Sequence, residues 1–192
     1  MARAAAKKRG RPVNEVPYRE LNGRASRARN PIDKLALEAR AKMLGISVLD
    51  AKNQLAATFI GRLHMQYQAW EKRGPKDVPR PSECLSTREY DAATRFLDLH
   101  NDRLKVVQSE AAQYDNRPSG NADPDAVEEW ARRINTEYKA VREAIQEAQN
   151  QNRSENLWAA LDYCIIRDQP LSHMIGALRI LCNSMARHWK IS

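Results

Sequence analysis

The chain has 192 residues, 42% of them hydrophobic and 6% aromatic, enough apolar material for one domain or two small ones. Its 32 Lys and Arg outweigh 24 Asp and Glu, for a formal net charge of +8. No run approaches the roughly 18 apolar residues of a membrane span and no apolar segment follows the basic start, so neither a membrane protein nor a secretory leader is expected and the cytoplasm is the expected compartment.

The charge is unevenly placed. Residues 1–30 hold nine Lys or Arg against two acids, while residues 31–192 hold 23 against 22. A block of like charge repels itself and resists burial, so residues 1–30 are expected to form a disordered basic arm that meets a polyanion, with double-stranded DNA the first candidate. Its densest part is Lys7, Lys8, Arg9, Gly10, Arg11 and Pro12, followed by a second cluster at Arg24, Arg27 and Arg29. The four residues Arg9 to Pro12 resemble the AT-hook, although Lys8 stands where that motif commonly has proline. The resemblance implies that Gly10 lets the backbone lie on the floor of an AT-rich minor groove while Arg9 and Arg11 extend along it. The competing reading is a solvated basic tail.

Beyond the arm, Ala, Leu, Glu, Gln and Arg dominate and β-branched alternation is scarce, which predicts an all-α helical bundle of about six helices. Asn30 and Pro31 form a cap-plus-proline start, and Ile32, Leu35, Ala36, Ala39 and Met43 recur at helical spacing as far as Gly45. A second helix is expected from Ser47 to Gly74 along Leu55, Phe59, Leu63 and Tyr67. The Gly45 join reads either as a plain αα-hairpin or as a helix-turn-helix; in the latter, Lys52 and Asn53 would face DNA early in the second helix.

Pro75, Pro79 and Pro81 mark residues 75–85 as a linker. Ser86 and Glu89 then form a capping box, flanked by Leu85 and Tyr90 as a hydrophobic staple. The helix it opens is expected to pack along Tyr90, Leu97 and Leu104 on one line and Ala93, His100 and Val107 on the other. Asp123 and Pro124 start a partner with a seam at Val127, Ala131, Ile134, Tyr138, Val141, Ile145 and Ala148. The two are expected to form an antiparallel pair over residues 86–150. Residues 151–192 close the chain as a helical pair, whose last helix turns Ile175, Leu178, Leu181, Cys182, Met185 and Trp189 inward. Its opposite stripe includes Arg179, Asn183 and Arg187, residue types that can read bases and phosphates, though any amphipathic terminal helix is polar outside.

Cys84, Cys164 and Cys182 lack metal-ligand spacing and read as reduced core thiols. The four His are scattered, and no phosphate loop, dinucleotide fingerprint, zinc-protease or nucleophile-elbow motif occurs. No catalytic, cofactor-binding or metal-binding residue is therefore expected, nor a small-molecule substrate. The segments Leu85 to Tyr90, Ala160 to Asp162 and Leu178 to Trp189 loosely resemble small helical proteins of proteobacterial prophages and mobile elements. That resemblance implies a DNA-associated role. The leading expectation is a non-enzymatic, oligomeric DNA-binding regulator; the alternative is a packaging subunit of the phage small-terminase kind, with the heptad helices forming its oligomer core.

Overall fold

The computed structural model describes residues 19, 23–24, 31–74, 79–113 and 124–192, and every regular element among them is helical. The fold is all-α. The described residues belong to two compact units, residues 1–52 and residues 53–192.

In the first unit, α1 (Pro31–Leu44) has the expected extent; the expected cap, Asn30, lies outside the described residues. Gly45 ends the helix at φ +65°, and Ile46 N–H donates back to the Ala41 carbonyl at 3.0 Å, a closure that favours glycine because the left-handed backbone strains residues with a Cβ. A single turn, α2 (Val48–Ala51), follows and packs against α1.

The expected helix from Ser47 to Gly74 is instead broken into three pieces: α2, a 3-10 turn at Gln54–Ala57, and α3 (Phe59–Arg73). Ser47 caps the first piece, as expected, and two further short polar side chains, Asn53 and Thr58, cause the two breaks. Ser47 Oγ accepts from Asp50 N–H at 3.0 Å, Asn53 Oδ1 from Leu55 N–H at 3.0 Å, and Thr58 Oγ1 from Gly61 N–H at 3.1 Å. Each offers the backbone a local partner in place of the next helical bond and so starts a new element. Gly61 completes the arrangement in the second unit, because a Cβ there would stand 2.0 Å from the Leu55 carbonyl oxygen.

The second unit centres on α4 (Thr87–Gln113), α5 (Pro124–Gln151) and α7 (Ile175–His188), each packed against the other two. Phe96, Val106, Val141, Ile145, Leu178, Leu181 and Met185 are fully buried in their shared core. Between α5 and α7, α6 (Leu157–Ala160) runs into a wider π-helical stretch, Leu161–Ile166. Asp168 follows at φ +53°, and its Oδ1 accepts the Phe59 N–H at 2.5 Å, capping α3 from far along the chain.

The α5 seam is as expected: Ile134, Tyr138, Val141, Ile145 and Ala148 are all buried. On α4 the seam lies one residue earlier than expected, about 100° around the helix. Ala92, Phe96, Leu99 and Val106 are buried, and of the expected lines Ala93 is fully buried and Tyr90 and Leu97 pack against the core, whereas Leu104 is 44% and Val107 47% exposed. The first turn also buries a charged residue, Glu89, only 2% exposed, at a core position that a search for apolar lines passes over.

Candidate nucleic-acid interface

Glu89 organises the residues that the sequence offers as a DNA-reading face on the last helix. The capping box is reciprocal: Glu89 N–H donates to Ser86 Oγ at 3.3 Å, and Ser86 N–H and Oγ–H donate to Glu89 Oε2 at 2.7 and 2.9 Å. Arg80 donates to the same oxygen, and its guanidinium also reaches the Cys84 carbonyl at 3.0 Å and lies over the Tyr67 ring at 5.2 Å. The other oxygen, Oε1, accepts from Asn183 Nδ2 at 2.9 Å, with Arg179 Nε at 3.6 Å. A carboxylate removed from water must be met by donors, and this one draws them from three separate segments.

Arg179 and Asn183 are thus half-buried and drawn toward Glu89, where the sequence reading expects them on an outer stripe. Because α7 is packed by α4, α5 and α6, its solvent strip is narrow and the flanks of its polar face turn inward. Arg187 is exposed, with Nε donating to the Asn183 carbonyl at 3.3 Å. Substituting Asn183→Ala is expected to cost about 1–2 kcal/mol, since it leaves a buried carboxylate oxygen short of a donor, while leaving duplex affinity unchanged. A base-reading Asn183 would show the reverse in parallel melting and DNA titrations.

Burial opposes ionisation of Glu89, but the bonds from Ser86 and Arg80 and the Arg80 charge outweigh it and hold the carboxyl below its ordinary value. The Arg80 guanidinium is disfavoured by burial, yet its hydrogen bonds to Cys84 and Glu89 and the Glu89 charge raise its pKa on balance. Residues 79–85 are consequently held down rather than forming a free linker: Cys84 and Leu85 are fully buried, and Leu85 N–H donates to the Leu63 carbonyl at 3.3 Å. His64 packs here as well, stacked on Tyr90 at 4.6 Å with Nδ1 3.2 Å from the Leu85 carbonyl, so Nδ1 carries the proton of that bond.

The helix-turn-helix residues are placed differently from the expectation too. Lys52 is exposed and is the C-cap of α2, a helix of four residues that is about 6 Å long, too short to lie along a major groove. Asn53 has extended backbone and caps the 3-10 turn, so neither residue opens a recognition helix. Of the arm candidates, Lys7, Lys8, Arg9, Gly10, Arg11, Arg27 and Arg29 lie outside the described residues, and Arg24 is exposed.

A cationic cleft that the sequence reading missed lies on unit two. Tyr138, Lys139 and Arg142 share one face of α5, where residues three and four apart are neighbours. Arg103 of α4 stands 4.6 Å over the Tyr138 ring, and Arg142 stands 5.0 Å over the Trp158 ring of α6. Together they line a cleft of about 560 Å³. The α5 residues are adjacent in sequence, but Arg103 and Trp158 join them only through the packing of three helices. His100, next to this cleft, packs on Phe96 with Nδ1 3.4 Å from the Tyr138 hydroxyl; burial and the Arg103 charge lower its pKa.

The three cysteines are free and buried, and burial pushes the Cys164 and Cys182 thiols above their ordinary value. Among the described residues no group of three His, Cys, Asp or Glu could hold a metal ion, and no helix is long and apolar enough to cross a membrane. Comparison with known proteins finds no matching family model, no matching curated protein and no matching solved structure.

Proposed function

We propose that the protein is a non-enzymatic, double-stranded-DNA-binding regulator of the phage or mobile-element type, in which residues 1–30 grip the duplex and the helical body supplies the platform. The observation that carries the reading is the charge asymmetry: nine cations against two acids in the first 30 residues, ahead of a body with 23 against 22. A cationic arm gains affinity by releasing the counterions condensed on phosphates, a term that needs no particular fold. Arg9, Gly10 and Arg11 add a preference for narrow, AT-rich minor grooves. Assembly into a homo-oligomer in the cytoplasm is part of the proposal, supported by apolar side chains left in solvent at Met43 (81% exposed) and Leu49 (78%).

The packaging alternative drew its support from the heptad helices as an oligomer core. In the protomer the inner faces of α4 and α5 are occupied by each other and by α7, while Leu104 and Val107 of the expected α4 lines stay exposed.

The AT component is tested by changing Arg9→Ala and Arg11→Ala together and titrating AT-rich and GC-rich duplexes of equal length. The expected result is a loss about tenfold larger on the AT-rich duplex than on the GC-rich one, reflecting two groove contacts of about 0.5–1 kcal/mol each beyond the phosphate share lost on both. Equal losses on both would leave phosphate binding and remove the hook-like role.

A further inference from the structure

We propose that the cleft between α4, α5 and α6 is a second phosphate-binding site, taking the sugar-phosphate backbone of the same duplex that the arm grips; the proposal rests on the DNA-binding reading above. Its cations are Arg103, Lys139 and Arg142. The two arginines are held from below: the Tyr138 ring, 8% exposed, carries Arg103 at 4.6 Å and Arg142 at 5.8 Å, and the Trp158 ring carries Arg142 at 5.0 Å. Trp158 is held in turn by its Nε1–H bond to Gln146 Oε1 at 3.1 Å. A guanidinium held against an aromatic ring keeps N–H donors for an acceptor, and its fork of donors matches the paired oxygens of a phosphate.

No protein acceptor takes that place. Among the described residues none of the three cations forms an ion pair with a carboxylate, although acids stand close by. Asp102, one residue before Arg103, is paired with Lys105 at 2.8 Å, and Glu137, one residue before Tyr138, is paired with Arg95 at 3.0 Å. Neighbouring carboxylates are therefore committed to other partners while three positive charges share one cleft, an arrangement whose mutual repulsion an anion relieves. The lone acid of its lining is Glu143, exposed on α5. Side-chain entropy favours the site as well, because ring-held arginines lose less freedom on binding than free ones.

The test uses the full chain and a fluorescent 20-base-pair duplex titrated over a salt series, with single-stranded RNA of equal length as a second probe. Three proteins are compared with the parent: a cleft variant, Arg103→Gln with Lys139→Gln and Arg142→Gln; an arm variant, Lys7→Gln with Lys8→Gln, Arg9→Gln and Arg11→Gln; and Glu143→Lys. The cleft variant is expected to lower the slope of log affinity against log salt by about two to three and duplex affinity by at least about tenfold. Because Arg103 and Arg142 touch rings, the exposed Glu143→Lys change provides a test free of packing loss, expected to tighten duplex binding about threefold or more at low salt. Loss in the cleft variant together with gain in Glu143→Lys supports the site. An unchanged slope in the cleft variant with a lowered slope in the arm variant overturns the site and leaves the arm reading intact. The opposite pattern supports the site and overturns the arm's role. Effects confined to RNA, no gain from Glu143→Lys, or no duplex binding by any form overturn the proposal.

Discussion

Neutralising Lys7, Lys8, Arg9 and Arg11 to glutamine is expected to reduce the salt slope of duplex binding by between three and four, since each phosphate neutralised contributes about 0.9 to that slope. At about 50 mM salt this corresponds to a loss of about a hundredfold or more, and the difference narrows as salt rises. The four residues precede every described element, so the helical body should be unaffected and the melting temperature unchanged. The contrast distinguishes an arm that binds from one that only keeps the protein soluble. A basic tail of the second kind would leave the slope near the parent value. Isotherms at four or five salt concentrations decide between them.

The second large effect concerns Glu89. Changing Glu89→Ala strips the common acceptor from Arg80, Ser86 and Asn183 and leaves a half-buried guanidinium unpaired, a loss of about 3 kcal/mol. For a chain of 192 residues that lowers the melting temperature by about 6–12 °C. The same group gives the fold an acid limb. Its pKa in the folded protein lies below the unfolded value, so its contribution is fully present above about pH 4.3 and is lost as pH falls through the folded pKa. Glu89→Gln preserves the shape without the charge and should remove that portion of the acid destabilisation. Thermal melts of parent, Glu89→Gln and Glu89→Ala between about pH 3 and 7 measure it; three superimposable pH profiles would show that the Glu89 network contributes nothing.

The sequence was most legible where one face of a helix is uniformly apolar. On α5 every turn repeats a hydrophobic residue from Ile134 to Ala148, and those residues are the buried ones. The α1 terminus was equally plain, because Gly45 combines a helix stop with a backbone conformation that favours glycine. Legibility failed where polar side chains do structural work. Glu89 occupies a core position on α4 that a search for apolar lines passes over, and Leu104 and Val107, expected inside, are exposed. Asn53 and Thr58 each cap a new element inside the expected helix, and an apolar stripe running across them looks continuous although the backbone restarts twice.

The candidate site divides in the same way. The arm is evident from charge alone, because repulsion among like charges is a property of composition. Arg179 and Asn183 looked like a recognition face because a helical wheel records only polarity, whereas their partner Glu89 lies on a helix some ninety residues earlier. The cleft at Arg103, Arg142 and Trp158 was hidden for the complementary reason, since its members come from three helices and no spacing along the chain unites them.

The most direct test of the account is a titration of the purified full-length protein on duplex DNA from dilute buffer to about 300 mM salt. The account predicts measurable affinity at low salt that falls steeply and linearly on logarithmic axes. Absence of duplex binding even in dilute buffer would contradict it.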